Sequence, residues 1–251
     1  MVRGLDLFKE HFQEHTDSFV VIGGTACSIL LEDAGLTARA TDDIDMVLYV
    51  ERPDSVFGNV FWDFIKKGNY ETWQNSPERK NFFRFLKPKD SKFPEKIELL
   101  SSKPEGIELR ESSRFTPIPF EDEASSLSAI LMDDDYYQFL HKGHKVVRDL
   151  PVIGAEHLIP LKAKAFLDLT KRKEEGIKIN SDDIKKHKTD VFRLYQLLAP
   201  ADRIELPVSI KADMARFLQT VGKEPFDLKN LKIRTVTFEG ASNSLKTIYG
   251  L

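Results

Sequence analysis

Asp43 and Asp45 flank a single isoleucine, and that spacing is suited to holding a cation. Along a strand alternate side chains share a face, so the two carboxylates point together while Ile44 and Met46 turn toward the core. Two carboxylates side by side repel unless a cation lies between them, and Mg²⁺ or Mn²⁺ takes oxygen ligands of this kind. Upstream, Gly23-Gly24 closes the apolar run Phe19-Val20-Val21-Ile22, and Thr25 opens a helical pattern that stops at Gly35. Glycines permit close backbone approach, and a helix start aims free amides at anionic oxygens. Gly23, Gly24 and Thr25 are therefore candidates for a phosphate cradle, with the Thr25 hydroxyl as an additional donor.

The stretch Val21-Ile22-Gly23-Gly24-Thr25-Ala26, followed by Arg39-Ala40-Thr41-Asp42-Asp43-Ile44-Asp45, resembles the nucleotidyltransferase superfamily typified by polymerase beta. It is most similar to the abortive-infection toxin-like (AbiEii-like) branch, which carries Gly-Gly-Thr-Ala and then Arg-x-Ser/Thr-x-Asp-Ile-Asp. The resemblance implies a third carboxylate on a neighbouring strand. Glu98, set between Ile97 and Leu99, is the best candidate, with Glu95 and Glu105 as positional competitors. Asp43, Asp45 and Glu98 would then be the catalytic and metal-holding acids, with two Mg²⁺ or Mn²⁺ ions acting at an NTP α-phosphate. Arg39 matches the branch's arginine, placed either to touch a phosphate or to brace a carboxylate. Leu161-Lys162-Ala163-Lys164-Ala165 and the basic stretch from Lys185 to Asp190 echo two later segments of the branch, so Lys162 and Lys186 are candidate nucleotide-binding residues. Lysines on exposed helix faces are the bland alternative, and a helix-packing ion pair is the rival explanation for Asp190. Asp133, Asp134 and Asp135 with His141 and His144 read as solvated turn residues rather than a transition-metal site.

These groups need a scaffold. Phe19 to Ile22, Ile44 to Val50, Phe82 to Leu86 and Lys96 to Leu100 read as strands. Leu5, Phe8 and Phe12, and then Phe57 through Ile65, recur at helical spacing. Ser126–Met132 and Tyr136–Leu140 read as further strands, with Lys145–Val147 pairing to the latter. Beyond about Pro151 three helices follow, around Leu158–Leu169, Ile184–Leu198 and Ser209–Val221, and then a strand-like tail at Ile233–Phe238. The fold class expected is α+β (α/β): a nucleotidyltransferase-type mixed sheet with flanking helices in a domain over 1–153, then a mainly helical domain over 154–251.

A formal net charge of −3 does not announce a nucleic-acid binder, although clustering matters more than the sum. Cys27 is the only cysteine, which excludes a disulfide within the chain and a cysteine-based zinc site. No apolar run reaches bilayer length and the first residues lack a signal peptide's apolar core, so a cytoplasmic protein without membrane attachment is expected. The resemblance implies transfer of a nucleoside monophosphate from an NTP to a hydroxyl on RNA, such as a tRNA end, or on a protein, with a cognate antitoxin as partner. A non-catalytic binding or regulatory protein of the same fold and a small-molecule (antibiotic-type) nucleotidyltransferase are the alternatives.

Overall fold

The computed structural model describes residues 2–48, 55–76, 79–100, 116–117, 130 and 133–251, and for 55, 72–76, 79–82 and 116–117 the backbone alone. The chain divides into two compact units that interleave along the sequence. The first comprises Met1–Ile29, Arg39–Ala124 and His144–Ile153, and the second Leu30–Ala38, Ser125–Gly143 and Gly154–Leu251.

The first unit is built on an eight-stranded mixed sheet. Its strands are β1 (Phe19–Ile22), β2 (Asp43–Leu48), β3 (Tyr70–Ser76), β4 (Arg79–Pro88), β5 (Lys96–Leu100), β6 (Thr116–Pro117), β7 (His144–Val147) and β8 (Leu150–Ile153). They lie in the order β6-β3-β4-β5-β2-β1-β8-β7. The four apolar residues of β1 are all buried, as befits an interior strand with neighbours on both sides. It runs antiparallel to β2 and parallel to β8, while β2 runs parallel to β5. The pleat turns Phe19, Ile44, Met46, Phe83, Phe85, Ile97 and Leu99 to one face. There α1 (Leu5–Phe12) and α3 (Ser55–Gly68) contribute Phe8, Phe12, Phe57, Phe61 and Phe64. Phe12 lies 5.2 Å from Phe64 and 5.7 Å from Phe19 between ring centroids, and Phe61 lies 5.5 Å from Phe85. Tilted and edge-on rings at these separations let the quadrupoles attract while the cluster excludes water. Phe83 and Phe85 are therefore core residues; the side chain of Phe82 lies outside the described residues.

The second unit is helical. Its helices include α4 (Asp134–Lys142), α5 (Ala155–Glu174), α6 (Ser181–Tyr195), α7 (Val208–Gly222) and α8 (Phe238–Tyr249). Segment 136–140 is thus a helix, not the strand its tyrosines suggest. Tyr136, Phe139 and Leu140 fall at i, i+3 and i+4 and are buried, and the Asp133 carboxylate caps the start by accepting from the Asp135 and Tyr136 amides. The strand over Lys145–Val147 pairs with β8 instead. The tail is also corrected: Ile233 is a buried loop residue, and α8 begins at Phe238 because Thr237 caps it by accepting from the Gly240 amide at 3.1 Å. The strand expected over Ser126–Met132 lies, but for Ile130, outside the described residues. Among the described residues no helix is long and apolar enough to cross a membrane.

Candidate active site

The register of the sheet brings the charged side chains together. Asp45 stands opposite Glu98 across the parallel β2–β5 pair, and Asp43 stands opposite Lys96. On the other side of β5, Arg84 of β4 stands opposite Glu98. Residues paired in register share a face, so Asp43, Asp45, Lys96, Glu98 and Arg84 form one charged patch on the sheet, facing away from the aromatic cluster. Asp45, Glu98 and Arg84 are buried, whereas Asp43 keeps partial solvent access.

The turn from β1 into α2 (Gly23–Asp33) lies against this patch. Gly23 has φ +68°, and a Cβ there would stand 1.9 Å from Asp45 Oδ2, so only glycine lets the carboxylate reach the turn. Over Gly24 the close neighbours are Arg39 and Thr41: a Cβ on Gly24 would meet Arg39 Nη2 at 2.9 Å and Thr41 Oγ1 at 3.0 Å. The Arg39 guanidinium is therefore held at the helix start, where the first amides have no acceptor within the helix. Ser28 Oγ secures this approach by donating to the Arg39 carbonyl at 3.2 Å. The Thr25 hydroxyl, expected to meet a phosphate, is fully buried and donates to the Asp43 carbonyl, tying α2 to β2.

Arg84 and Lys96 both contact the acids. Arg84 Nε donates to Glu98 Oε1 at 2.8 Å. Lys96 Nζ lies 3.0 Å from Asp43 Oδ2 and 3.3 Å from Glu98 Oε1, bridging the two carboxylates. Burial alone would lower the pKa of the Lys96 ammonium, but the attraction of Glu98, Asp45 and Asp43 outweighs it and holds the group well above the usual lysine range. Glu95, a rival for the third acid, instead pairs with Arg3. Glu105 lies outside the described residues.

Three carboxylates on one face suit a hard divalent cation in their chemistry. As they stand, however, no group of three His, Cys, Asp or Glu side chains among the described residues is gathered to hold a metal. Glu98 Oε1 is shared by an arginine and a lysine. Asp43 and Asp45 share a face and have the oxygen chemistry a divalent ion takes, while Lys96 already engages Asp43 as well as Glu98, and Arg84 engages Glu98.

The lysines named from sequence lie in the helical unit. Lys162 of α5 is buried and donates to Asp190 Oδ2 of α6 at 2.9 Å, with Arg193 Nη1 3.5 Å from Asp190 Oδ1. Lys186 is exposed and donates to Asp183 Oδ1 at 2.7 Å. The helix-packing ion pair is thus the observed arrangement at Asp190. Lys96 and Arg84 escaped the sequence reading. The signal for Lys96 was its opposite charge two residues before Glu98 on the same strand, and Arg84 needed the β4–β5 register to be found.

No family model matches the chain, and no curated protein does. Among solved structures, an antigenic nucleotidyltransferase-like protein from Paracoccidioides brasiliensis is similar at 14% identity, with a TM-score of 0.45, over 99% of this chain and 95% of that one. At that distance the likeness says nothing about individual side chains.

Proposed function

We propose that the chain is a nucleotidyltransferase that moves a nucleoside monophosphate from an NTP to a hydroxyl acceptor, as a toxin-like enzyme acting on RNA or a protein. The observation that carries this reading is the Asp43–Asp45 pair set against the Gly23 turn, with Arg39 beside Gly24. The α2 amides and Arg39 would bind the phosphates, the arginine through paired N–H donors. Asp43 and Asp45 would hold a divalent ion, which when bound neutralises charge developing around the α-phosphate. The acceptor oxygen attacks the α-phosphorus, the bond to the pyrophosphate oxygen breaks, and the hydroxyl proton passes to a carboxylate of the site or to water. Arg84 fixes Glu98 in place, and the buried Asp45 is kept in position by the turn beneath it.

The second reading, a non-catalytic protein of the same architecture, is favoured by one observation: the buried Glu98 is already engaged by Arg84 and Lys96. Incubation with each α-labelled NTP and Mg²⁺, in the presence of total RNA or a cell lysate, separates the two. Label transferred to a macromolecule by the native chain but not by Asp45→Asn supports the enzyme. Nucleotide binding without transfer under every NTP would leave the binding protein as the answer.

A further inference from the structure

Lys96 has no part in the acid motif, yet its ammonium stands between two of the three acids. It is carried by β5, opposite Asp43 in register and two residues before Glu98, so the strand itself aims it at both carboxylates. A divalent ion binds carboxylate oxygens at about 2.0–2.1 Å in the case of Mg²⁺, so it cannot share the Asp43–Glu98 gap with an ammonium. Lys96 and Arg84 each offset part of the negative charge that the three carboxylates bring to the patch.

We infer that Lys96 is a tethered cation that fills the Asp43–Glu98 corner, so that without nucleotide the protein takes a single divalent ion, at the Asp43–Asp45 side. The inference rests on the site being the metal-nucleotide site proposed above. It deepens that reading by assigning the second cation's place to a side chain. The lysine keeps the acids from repelling one another when no substrate is present. It also leaves the corner open only to a ligand that offers the ammonium a better anion than the two carboxylates, as a polyphosphate does.

The test is Mn²⁺ titration of the full chain without nucleotide, followed by the electron paramagnetic signal of free Mn²⁺. The native protein should bind one ion per chain, and Asp45→Asn should abolish it. Lys96→Met should bind a second ion, or bind the first tighter by on the order of tenfold, because a unit positive charge beside the site is gone. Lys96→Arg, which keeps the charge, should behave as the native chain does. Lys96→Gln serves in place of the methionine variant if that one fails to fold. Two ions on the native chain, no binding to any variant, or identical titrations for the native and uncharged variants would overturn the inference. The expected titrations with no transfer activity would sink the proposed function and leave the role of Lys96 standing.

Discussion

A methyl group at position 23 has no room. Its carbon would overlap Asp45 Oδ2, and the backbone φ of +68° already disfavours any L side chain. Gly23→Ala should therefore cost about 1–3 kcal/mol from the backbone alone. The acid must also shift to make room, so transfer should fall even at temperatures where the variant stays folded. Denaturant unfolding and the labelled-NTP assay, run on one preparation, check both parts; an alanine variant as stable and active as the native chain would contradict the contact. Asp45→Asn is a milder change in shape and a harsher one in chemistry. Transfer should drop at least ~100-fold, since the proposed ligand of the ion loses its charge, while the melting temperature moves little. Collapse of the fold on that substitution would mean that Asp45 is needed for structure and not for chemistry.

Between elements, the Lys162–Asp190 pair links α5 to α6 with both side chains out of water. Removing Lys162 takes from the buried Asp190 its nearer cation and leaves Arg193 at 3.5 Å as a partial partner, so Lys162→Met should destabilise the protein by up to roughly 3–5 kcal/mol, and adding Asp190→Leu should recover part of the loss. Denaturation of the single and double variants measures this, and a double variant no better than the single would refute the pairing argument. On α5 as well, burial raises the Asp168 carboxyl above its ordinary value despite Lys164 beside it. A raised carboxyl favours the folded state at low pH, and that contribution is lost as pH rises through its folded value. Asp168→Asn should accordingly stabilise the chain at neutral pH, with the gain fading on acidification through the carboxylate range. The helices bearing these pairs were legible because Leu158, Leu161, Ala165 and Leu169 repeat at helical spacing over several turns. Segment 136–140 was not, since five residues with two tyrosines are too short to show a period and the decisive signal is the Asp133 cap. The acids of β2 were legible as a pair within one strand. Arg84 was not, because it reaches Glu98 through the β4–β5 register, which no linear pattern records; the spacing of Lys96 from Glu98 stands in the sequence, but its approach to Asp43 needs the β2–β5 register.

For the molecule as a whole, a net charge of −3 supplies no overall attraction to nucleic acid, so any such affinity would have to come from a local cluster of cations. Unfractionated RNA should show no gel shift with the chain at about 0.15 M salt. If an RNA is the acceptor, transfer should be confined to a narrow class of molecules chosen by shape; strong shifts across all RNA at that salt would show a basic surface at work. The parallel pairing of β2 with β5 bears on how such a site survives change. Asp45 and Glu98 face each other across a strand spacing of about 4.8 Å, which is set by main-chain hydrogen bonds and by no loop. The sheet acts as a ruler with a fixed graduation. The exposed residues 89 to 92 ahead of β5 can be recoded while the gap between the two acids keeps its length, since Phe93 and Pro94, which follow them, stay anchored in the core; the patch is thus a sound foundation on which to graft a changed rim.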